Sequence, residues 1–350
     1  MRNTVQMADG IDEVDLALLD GVHVNPRAGF DELGKALGIS GATAARRWRR
    51  LVETGCAWVS SAPGPALPVV GALLEAECAP GAAQTVADQW AAVPHAFSVH
   101  ITTGQYNVYT LIVAADPHAL AQLVIDVLPT VAGIRAVRAS GMTRPFNGVS
   151  WRLGAMSAQQ ASEVRPPQLA PARHTFDDTD RELYLTLQHD GRLTYRELAV
   201  RLGCSEASAR RKLNVLMQSE LLTFRADFAR AEAGWPTNVI LELRLNPGTD
   251  AAEAGRTMAG WPETRVCVSV FGGAAQLFVT VQVHRLDALA GFIARLQQVG
   301  ASVLSSRVLL RQVKSFGRLI DDDGRAGGVV PVDPWAPVDP DGFRHRSAEF

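Results

Sequence analysis

Laid without a gap on residues 177–216, at an offset of 165, residues 12–51 are identical at 13 of 40 positions. Composition alone gives about 3 matches in such a window. The shared set holds more than helix-core leucines: it keeps Asp12/Asp177, Asp15/Asp180, Arg27/Arg192, Gly38/Gly203, Ser40/Ser205 and Arg46/Arg211. Polar residues, a turn glycine and a basic residue survive duplication only where the whole local structure is reused. The chain must therefore build the same unit twice.

The similarity continues beyond the first unit with small insertions. Glu75–Gly81 lies over Glu242–Gly248, Pro94 and Gly104 over Pro262 and Gly272, and Thr143-Arg144 over Val313-Lys314. This drift predicts two tandem modules, each a helical head followed by a body, and one polypeptide acting as a built-in dimer.

Within each head the patterning is helical. Asp12 and Asp15 open a first helix carrying Leu16, Leu18 and Leu19, with acidic residues in the first turn where the helix dipole favours them. A second helix spans Phe30 to Leu37, and Gly38-Ile39 turns the chain. Ser40 caps a third helix whose Ala44, Trp48, Leu51 and Val52 recur at spacings of three and four, leaving Gly41, Thr43, Arg46, Arg47 and Arg50 on the other faces. The second copy repeats the pattern through Leu183, Leu187, Tyr195–Leu202, Gly203-Cys204 and Ser205. This is a helix-turn-helix pattern. The short apolar stretches Cys56–Val59 and Leu221–Phe224 that follow read as a small wing or connector.

Each body reads β-α-β-β-α-β. Runs such as VYTLIVA and QLFVTVQV combine β-branched and aromatic residues between turn-rich boundaries, as strands require. The predicted strands are 69–78, 95–102, 106–115 and 134–143, then 237–246, 264–271, 276–284 and 302–313. Helices are predicted at 82–92 and 117–128, then 249–259 and 286–298. The order implies an α+β chain with a ferredoxin-like body in each module. The expected domains are a first head at 1–60, a first body at 67–145, a proline-bearing linker at 150–174, a second head at 175–226, a second body at 235–316 and a disordered tail at 317–350. Residues 1–10 read as a short disordered lead.

Composition narrows the function classes. A hydrophobic share of 47% with 20% charged residues suits a globular protein, and the net charge of -2 excludes a chain coated in basic surface. Local patches still matter: from Ser40 to Glu53 four arginines face one carboxylate, a local charge of +3. Cys56, Cys78, Cys204 and Cys267 form no CxxC pair and the histidines no ligand cluster, so neither a structural metal nor a cofactor is expected. No apolar run reaches membrane-spanning length, and the opening residues lack a signal-peptide pattern, giving a cytoplasmic expectation. P-loop, paired dinucleotide-binding glycines and nucleophile elbow are all missing.

The helix-turn-helix pattern, the βαββαβ body with GQYN between its middle strands, and a basic residue after its last strand resemble the leucine-responsive/asparagine-operon (Lrp/AsnC) regulator family. The best-matching stretches are Leu33–Leu51, LGKALGISGATAARRWRRL, and Leu198–Leu216, LAVRLGCSEASARRKLNVL. The resemblance covers residues 12–144 and 177–314 and implies a double-length member: a sequence-specific transcription regulator with double-stranded DNA as partner. It implies further assembly through body surfaces, and a sensing body for an amino acid or related metabolite. A recognition helix offers its N-terminal half to the major groove while basic side chains hold phosphates. In the first copy Ser40, Gly41, Thr43 and Arg46 are therefore groove candidates, and Arg47 and Arg50 phosphate clamps. In the second, Ser205, Glu206, Ser208 and Arg210 lie at the matching or adjacent positions, with Arg211 and Lys212 on phosphates. The unequal heads imply unequal half-sites. For the effector, Thr103, Gly104, Tyr106 and Asn107 match the family's Gly-x-Tyr-Asp loop, with an amide in place of the acid. Gly272 and Gly273 keep only the glycines.

Sirohaem decarboxylases resemble the same architecture and include fused forms, so an enzyme is the alternative, with His95, His100 and Tyr106-Asn107 near the corresponding loop. Both capped, arginine-bearing helices favour the regulator, and the expectation is a chain without enzymatic activity. A ligand-sensing scaffold that no longer binds DNA ranks lower, because Arg46, Arg47, Arg49, Arg50, Arg210, Arg211 and Lys212 all remain.

Overall fold

The two capping aspartates that mark the duplication start its two heads in the same way. In the computed structural model, which describes residues 11–147, 152–167, 170–340 and 343, Asp12 and Asp177 each accept a hydrogen bond from the backbone three residues on, and Asp15 and Asp180 return the bond. This reciprocal box satisfies two of the free N–H groups at a helix start. The chain sorts into two units: one gathers the residues up to Pro68, Arg152–Ala233 and Arg325–Pro331, the other Val69–Trp151, Gly234–Gly324 and the residues from Val332 on. Heads group with heads and bodies with bodies, so the expected serial order of domains is not their order in space. The predicted lead at 1–10 lies outside the described residues.

In the head unit, with elements numbered along the whole chain, α1 (Glu13–Val24), α2 (Phe30–Leu37) and α3 (Gly41–Glu53) form the first head, and α7 (Asp178–His189), α8 (Tyr195–Arg201) and α9 (Glu206–Gln218) the second. Gly38 and Gly203 hold φ of 69° and 60° at the turn into α3 and α9, a left-handed backbone that glycine adopts without cost. Ala44, Trp48 and Leu51 of α3, and Ala209, Leu213 and Leu216 of α9, are buried at the predicted helical spacing. The expected wings take another form. β1 (Ala57–Pro63) and β6 (Leu222–Phe228) pair antiparallel with each other, from Ala57 opposite Phe228 to Pro63 opposite Leu222, and join the heads.

The predicted extended linker at 150–174 is corrected in its described part. Ser157 caps α6 (Ala158–Glu163), Arg152 and the Met156 backbone bind the buried Asp20 carboxylate, and Met156, Ala161 and Val164 are buried. Three buried apolar side chains and the partners that the segment brings to the buried Asp20 carboxylate fold it onto the first head.

The body unit departs most from expectation. Strands β2 (Val70–Cys78), β3 (Ala96–Thr102), β4 (Val108–Ala114) and β5 (Ile134–Asn147) follow the order β3-β4-β2-β5, and β7 (Thr237–Leu245), β8 (Thr264–Phe271), β9 (Leu277–Val283) and β10 (Ala301–Ser315) follow β8-β9-β7-β10. Two self-contained sheets would have left β3, β5, β8 and β10 as open edges. Instead β5 pairs with β8 and β10 with β3, closing one eight-stranded barrel. The long last strands make this possible: β10 runs against β7 from Ala301 to Val308 and against β3 from Leu309 to Ser315. Helices α4 (Ala83–Ala91), α5 (Pro117–Gln122, continued by a π-helical turn), α10 (Ala251–Ala259) and α11 (Leu289–Leu296) lie outside.

Alternation along the strands assigns the two faces. Ala72, Leu74 and Ala76 pack with α4, while Leu73 and Glu75 turn into the barrel; Val239, Leu241 and Leu243 pack with α10 and α11, while Ile240 and Glu242 turn in. The predicted disordered tail is also corrected. β11 (Arg318–Ile320) extends β10, β12 (Ala326–Val329) follows, the Ala326 amide donates to Gly55, and Val332 and Phe343 are buried. Phe343 joins the core beside α4, a role its isolated position in the sequence did not signal. The last residues of that segment lie outside the described ones.

Candidate DNA-contact surface and ligand pocket

Ser40 and Ser205 cap α3 and α9, their hydroxyls accepting from the Thr43 and Ser208 backbones at 3.1 and 3.2 Å. The hydroxyl pairs Ser40–Thr43 and Ser205–Ser208 also meet at 2.9 Å each, exposed at the helix start. Gly41 lies against Asp31, with which any Cβ would collide. Glu206, one turn-position later in the second head, is exposed.

The basic side chains divide into two classes. Arg46 is exposed and has no partner among the described residues; its counterpart Arg211 is exposed and donates only to Ser208, at 3.0 Å. Arg210 is exposed over the Tyr195 ring, 4.9 Å from its centroid. By contrast, Arg47 binds Asp12 at 2.7 Å and the fully buried Asp15 at 2.9 Å, Arg50 also binds Asp15, and Lys212 binds Asp180 at 3.1 Å. Three of the four predicted phosphate clamps, Arg47, Arg50 and Lys212, therefore tie the recognition helices to the capping boxes of α1 and α7. Each buried carboxylate needs a cation, and the equivalent residues Arg47 and Lys212 supply it in both heads. Hydrogen bonds to Asp12 and Asp15 raise Arg47 further above its ordinary value, and Asp177, bonded to Thr179 and the Asp180 backbone and beside Lys212, falls to about 2.

Two arginines that carried no predicted role join the heads. Arg27 donates to the Gly191 and Leu193 carbonyls at 2.7 and 2.8 Å, and Arg192 donates to the Pro26 and Ala28 carbonyls at 2.6 and 2.7 Å. Arg27 lies over Tyr195 and Phe224, and Arg192 over Phe30 and Trp48. Arg27 and Arg192, like Phe30 and Tyr195, are equivalent positions of the repeat, so each head clasps the other as in a symmetric dimer interface. Burial lowers both guanidinium groups, Arg192 to about 10. The sequence signal was the identity of Arg27 and Arg192 in a turn, where helix packing demands no basic residue.

Inside the barrel the same symmetry places Glu75 and Glu242 with Arg138 and Arg307. Arg138 binds Glu75 at 2.5 Å and also Glu242; Arg307 binds Glu242 at 2.7 Å and also Glu75. Desolvation and the neighbouring Glu75 raise the Glu242 carboxyl. Beside this quartet lies a cavity of about 290 Å³ lined by Glu75, Arg138, Glu242, Phe278 and the second loop, Gly272–Ala275. Gly272 holds φ of 97° there.

The first loop is used differently from the prediction. Thr103 exchanges two hydrogen bonds with Val308, the Asn107 side-chain carbonyl accepts from the Cys78 backbone at 3.0 Å, and the Tyr106 carbonyl accepts from Arg307 at 3.1 Å. The Tyr106 ring lies under Arg138, and Gly104 backs onto the Arg307 stem. None of Thr103, Gly104, Tyr106 and Asn107 lines the cavity; they hold the loop and the two arginines. His100 is buried and stacks on Tyr109 at 4.7 Å, and His95 lies by α4, apart from the quartet cavity.

The AsnC-type helix-turn-helix domain matches residues 11–52 and again 176–216, and the Lrp/AsnC ligand binding domain matches residues 71–146. An HTH-type transcriptional regulator of Pyrococcus abyssi is 31% identical over 134 residues, 37% of this chain and 89% of that protein. The chain belongs to the Lrp/AsnC family. That relative has about the length of one module, and this Lrp/AsnC chain carries the helix-turn-helix twice. Among solved structures, the siroheme decarboxylase NirDL is 14% identical with a TM-score of 0.56, covering 97% of this chain and 98% of its own. Its complex with an iron-uroporphyrin III analogue is 15% identical, with a TM-score of 0.54 over 87% and 92%. At such identity the likeness shows the fold alone. It nevertheless overturns the expectation of a chain without enzymatic activity, because a structure matched over almost its full length is an enzyme. Among the described residues no helix is long and apolar enough to cross a membrane.

Proposed function

We propose that this Lrp/AsnC chain is a sequence-specific DNA-binding transcription regulator whose two heads act as a covalent pseudo-dimer. The observation that carries the reading is the division of the recognition-helix cations: Arg46 and Arg211 stay exposed at matching positions beside capped helix starts, while their neighbours are committed to internal carboxylates. Free cations next to exposed hydroxyls suit phosphate and groove contacts. Ser40, Thr43, Arg46, Ser205, Ser208, Arg210 and Arg211 are the proposed contact residues; Arg47, Arg50 and Lys212 are support. Unequal residues at Gly41 and Glu206 favour an operator with unequal halves.

The proposed effector is an amino acid in the quartet cavity. Arg138 suits a carboxylate, Glu242 an ammonium group, and Phe278 with Leu73 and Val270 an apolar side chain. Its volume lies at the small end for ligand sites, which suits so small a molecule.

The test is selection from random duplex DNA with the full chain at two salt concentrations, followed by Arg46→Ala and Arg211→Ala. Each substitution is expected to weaken binding and reduce the salt slope by about one. Folded double variants with unchanged affinity and slope refute the reading. If no duplex is bound, conversion of an iron-uroporphyrin-type tetrapyrrole is the activity to assay next.

A further inference from the structure

A second cavity, of about 480 Å³, lies in the body unit away from the quartet, between α4, the end of α5 and the C-terminal segment. It is built rather than incidental. The Asp333 amide donates to the Pro94 carbonyl and the Ala115 amide to Pro334, both at 2.9 Å, so the C-terminal segment is pinned as one wall, completed by Pro337, Val338 and Phe343. Val93, Leu123 and Val127 supply the opposite apolar wall. At the rim Asp88 and Asp339 are exposed carboxylates, and among the described residues no lysine or arginine lines the cavity.

The deep polar group is His95, which is 1% exposed. Its Nε2 meets the Ala336 carbonyl at 3.1 Å, and a carbonyl only accepts, so Nε2 carries the hydrogen. Burial lowers the ring's affinity for a second proton, which leaves Nδ1 as a bare acceptor with no partner among the described residues. A buried acceptor left without a donor is costly, and an entering ligand that supplies the donor relieves that cost.

We propose that this cavity is a second small-molecule site for an apolar amine. The ammonium group sits at the acidic rim near Asp88 and Asp339, the hydrocarbon or aromatic body lies between Val127 and Phe343, and a hydroxyl at the far end donates to His95 Nδ1. A free carboxylate is disfavoured because the two rim carboxylates repel it and no cation of the described lining offsets them. This separates the site from the quartet cavity, where Arg138 favours an amino acid, and it stands whether or not that assignment holds.

The probe is tyramine, titrated calorimetrically into the full chain. Saturable binding at one site per chain is expected, about tenfold weaker for phenethylamine, which lacks the hydroxyl. Asp88→Asn with Asp339→Asn is expected to weaken tyramine about tenfold or more without changing the unfolding midpoint, since both groups are exposed. Val127→Trp fills the cavity and abolishes binding; Asp88→Arg is the check should that variant fail to fold. The proposal is overturned by no saturable heat with tyramine, by tyramine binding that survives both the rim and the filling variants, or by tyrosine binding as tightly as tyramine and being lost with Val127→Trp.

Discussion

Truncating one arm of the clasp between the heads, Arg192→Ala, removes two charge-assisted hydrogen bonds to the Pro26 and Ala28 carbonyls and the stacking on Phe30 and Trp48. Two such bonds contribute about 3–6 kcal/mol and the stacking about 1–2. Against this stands desolvation: lowering the group from 12.5 to about 10 disfavours the cation by roughly 3 kcal/mol. The net loss expected is about 1–5 kcal/mol. Arg27→Ala is expected to match it, with the same number of bonds and stacked rings. The two guanidinium groups repel each other, so removing one relieves the other, and the double variant costs less than the sum of the singles. Urea unfolding of the four proteins in this double-mutant cycle measures all three quantities. Folded single variants that lose under about 0.5 kcal/mol, or a double variant that loses more than the sum, refute the reasoning. Arg192→Lys is expected to recover little, because an ammonium group does not reproduce the planar two-carbonyl fork.

Glu75→Ala leaves Arg307, 5% exposed, facing only one carboxylate, and is expected to cost about 3–5 kcal/mol in chemical denaturation. Arg47→Ala is expected to destabilise the first head by unpairing buried Asp15 while reducing the DNA salt slope less than Arg46→Ala does; equal slopes refute the separation of roles. Lys314, buried and donating to the Val93 carbonyl, is lowered by burial to about 7 from 10.5. Between these values the unfolded chain holds the proton and the folded chain does not, so stability rises from pH 7 toward 10.5, by up to a few kcal/mol at roughly 1.4 per pH unit. Lys314→Met is expected to be more stable at pH 7 and to lose that rise, which melting curves across this range check. Tyrosine or a branched amino acid as effector is expected to bind the wild type and lose at least tenfold with Arg138→Ala, measured by calorimetry; unchanged affinity moves the effector out of the quartet cavity.

Local instructions were legible along the chain. The capping boxes at Asp12 and Asp177, the left-handed glycines Gly38 and Gly203, the caps Ser40 and Ser205 and the βαββαβ order all act within a few residues or through strand alternation, and the repeat states them twice. The exposure of Arg46 and Arg211 on the recognition helices was legible for the same reason. The aspartate partners of Arg47 and Lys212 were not legible, because a basic residue on a helix reads the same whether it faces solvent or an aspartate 32 residues away. The tail was misread because its few apolar residues, Val332 and Phe343, are anchored by a core built far upstream, which periodicity within the segment cannot register.

By itself the sequence determined that one unit is made twice, with a helix-turn-helix head and an alternating body in each copy. Only the tertiary structure decided how the copies use each other. Open strand edges and half-buried charges have no local solution, and a second copy on the same chain supplies one: β5 with β8 and β10 with β3 close the barrel, Arg27 and Arg192 trade carbonyls, and Glu75, Glu242, Arg138 and Arg307 neutralise one another. These are pairings between residues more than 60 positions apart, where burial and geometry select the partner and no sequence spacing does.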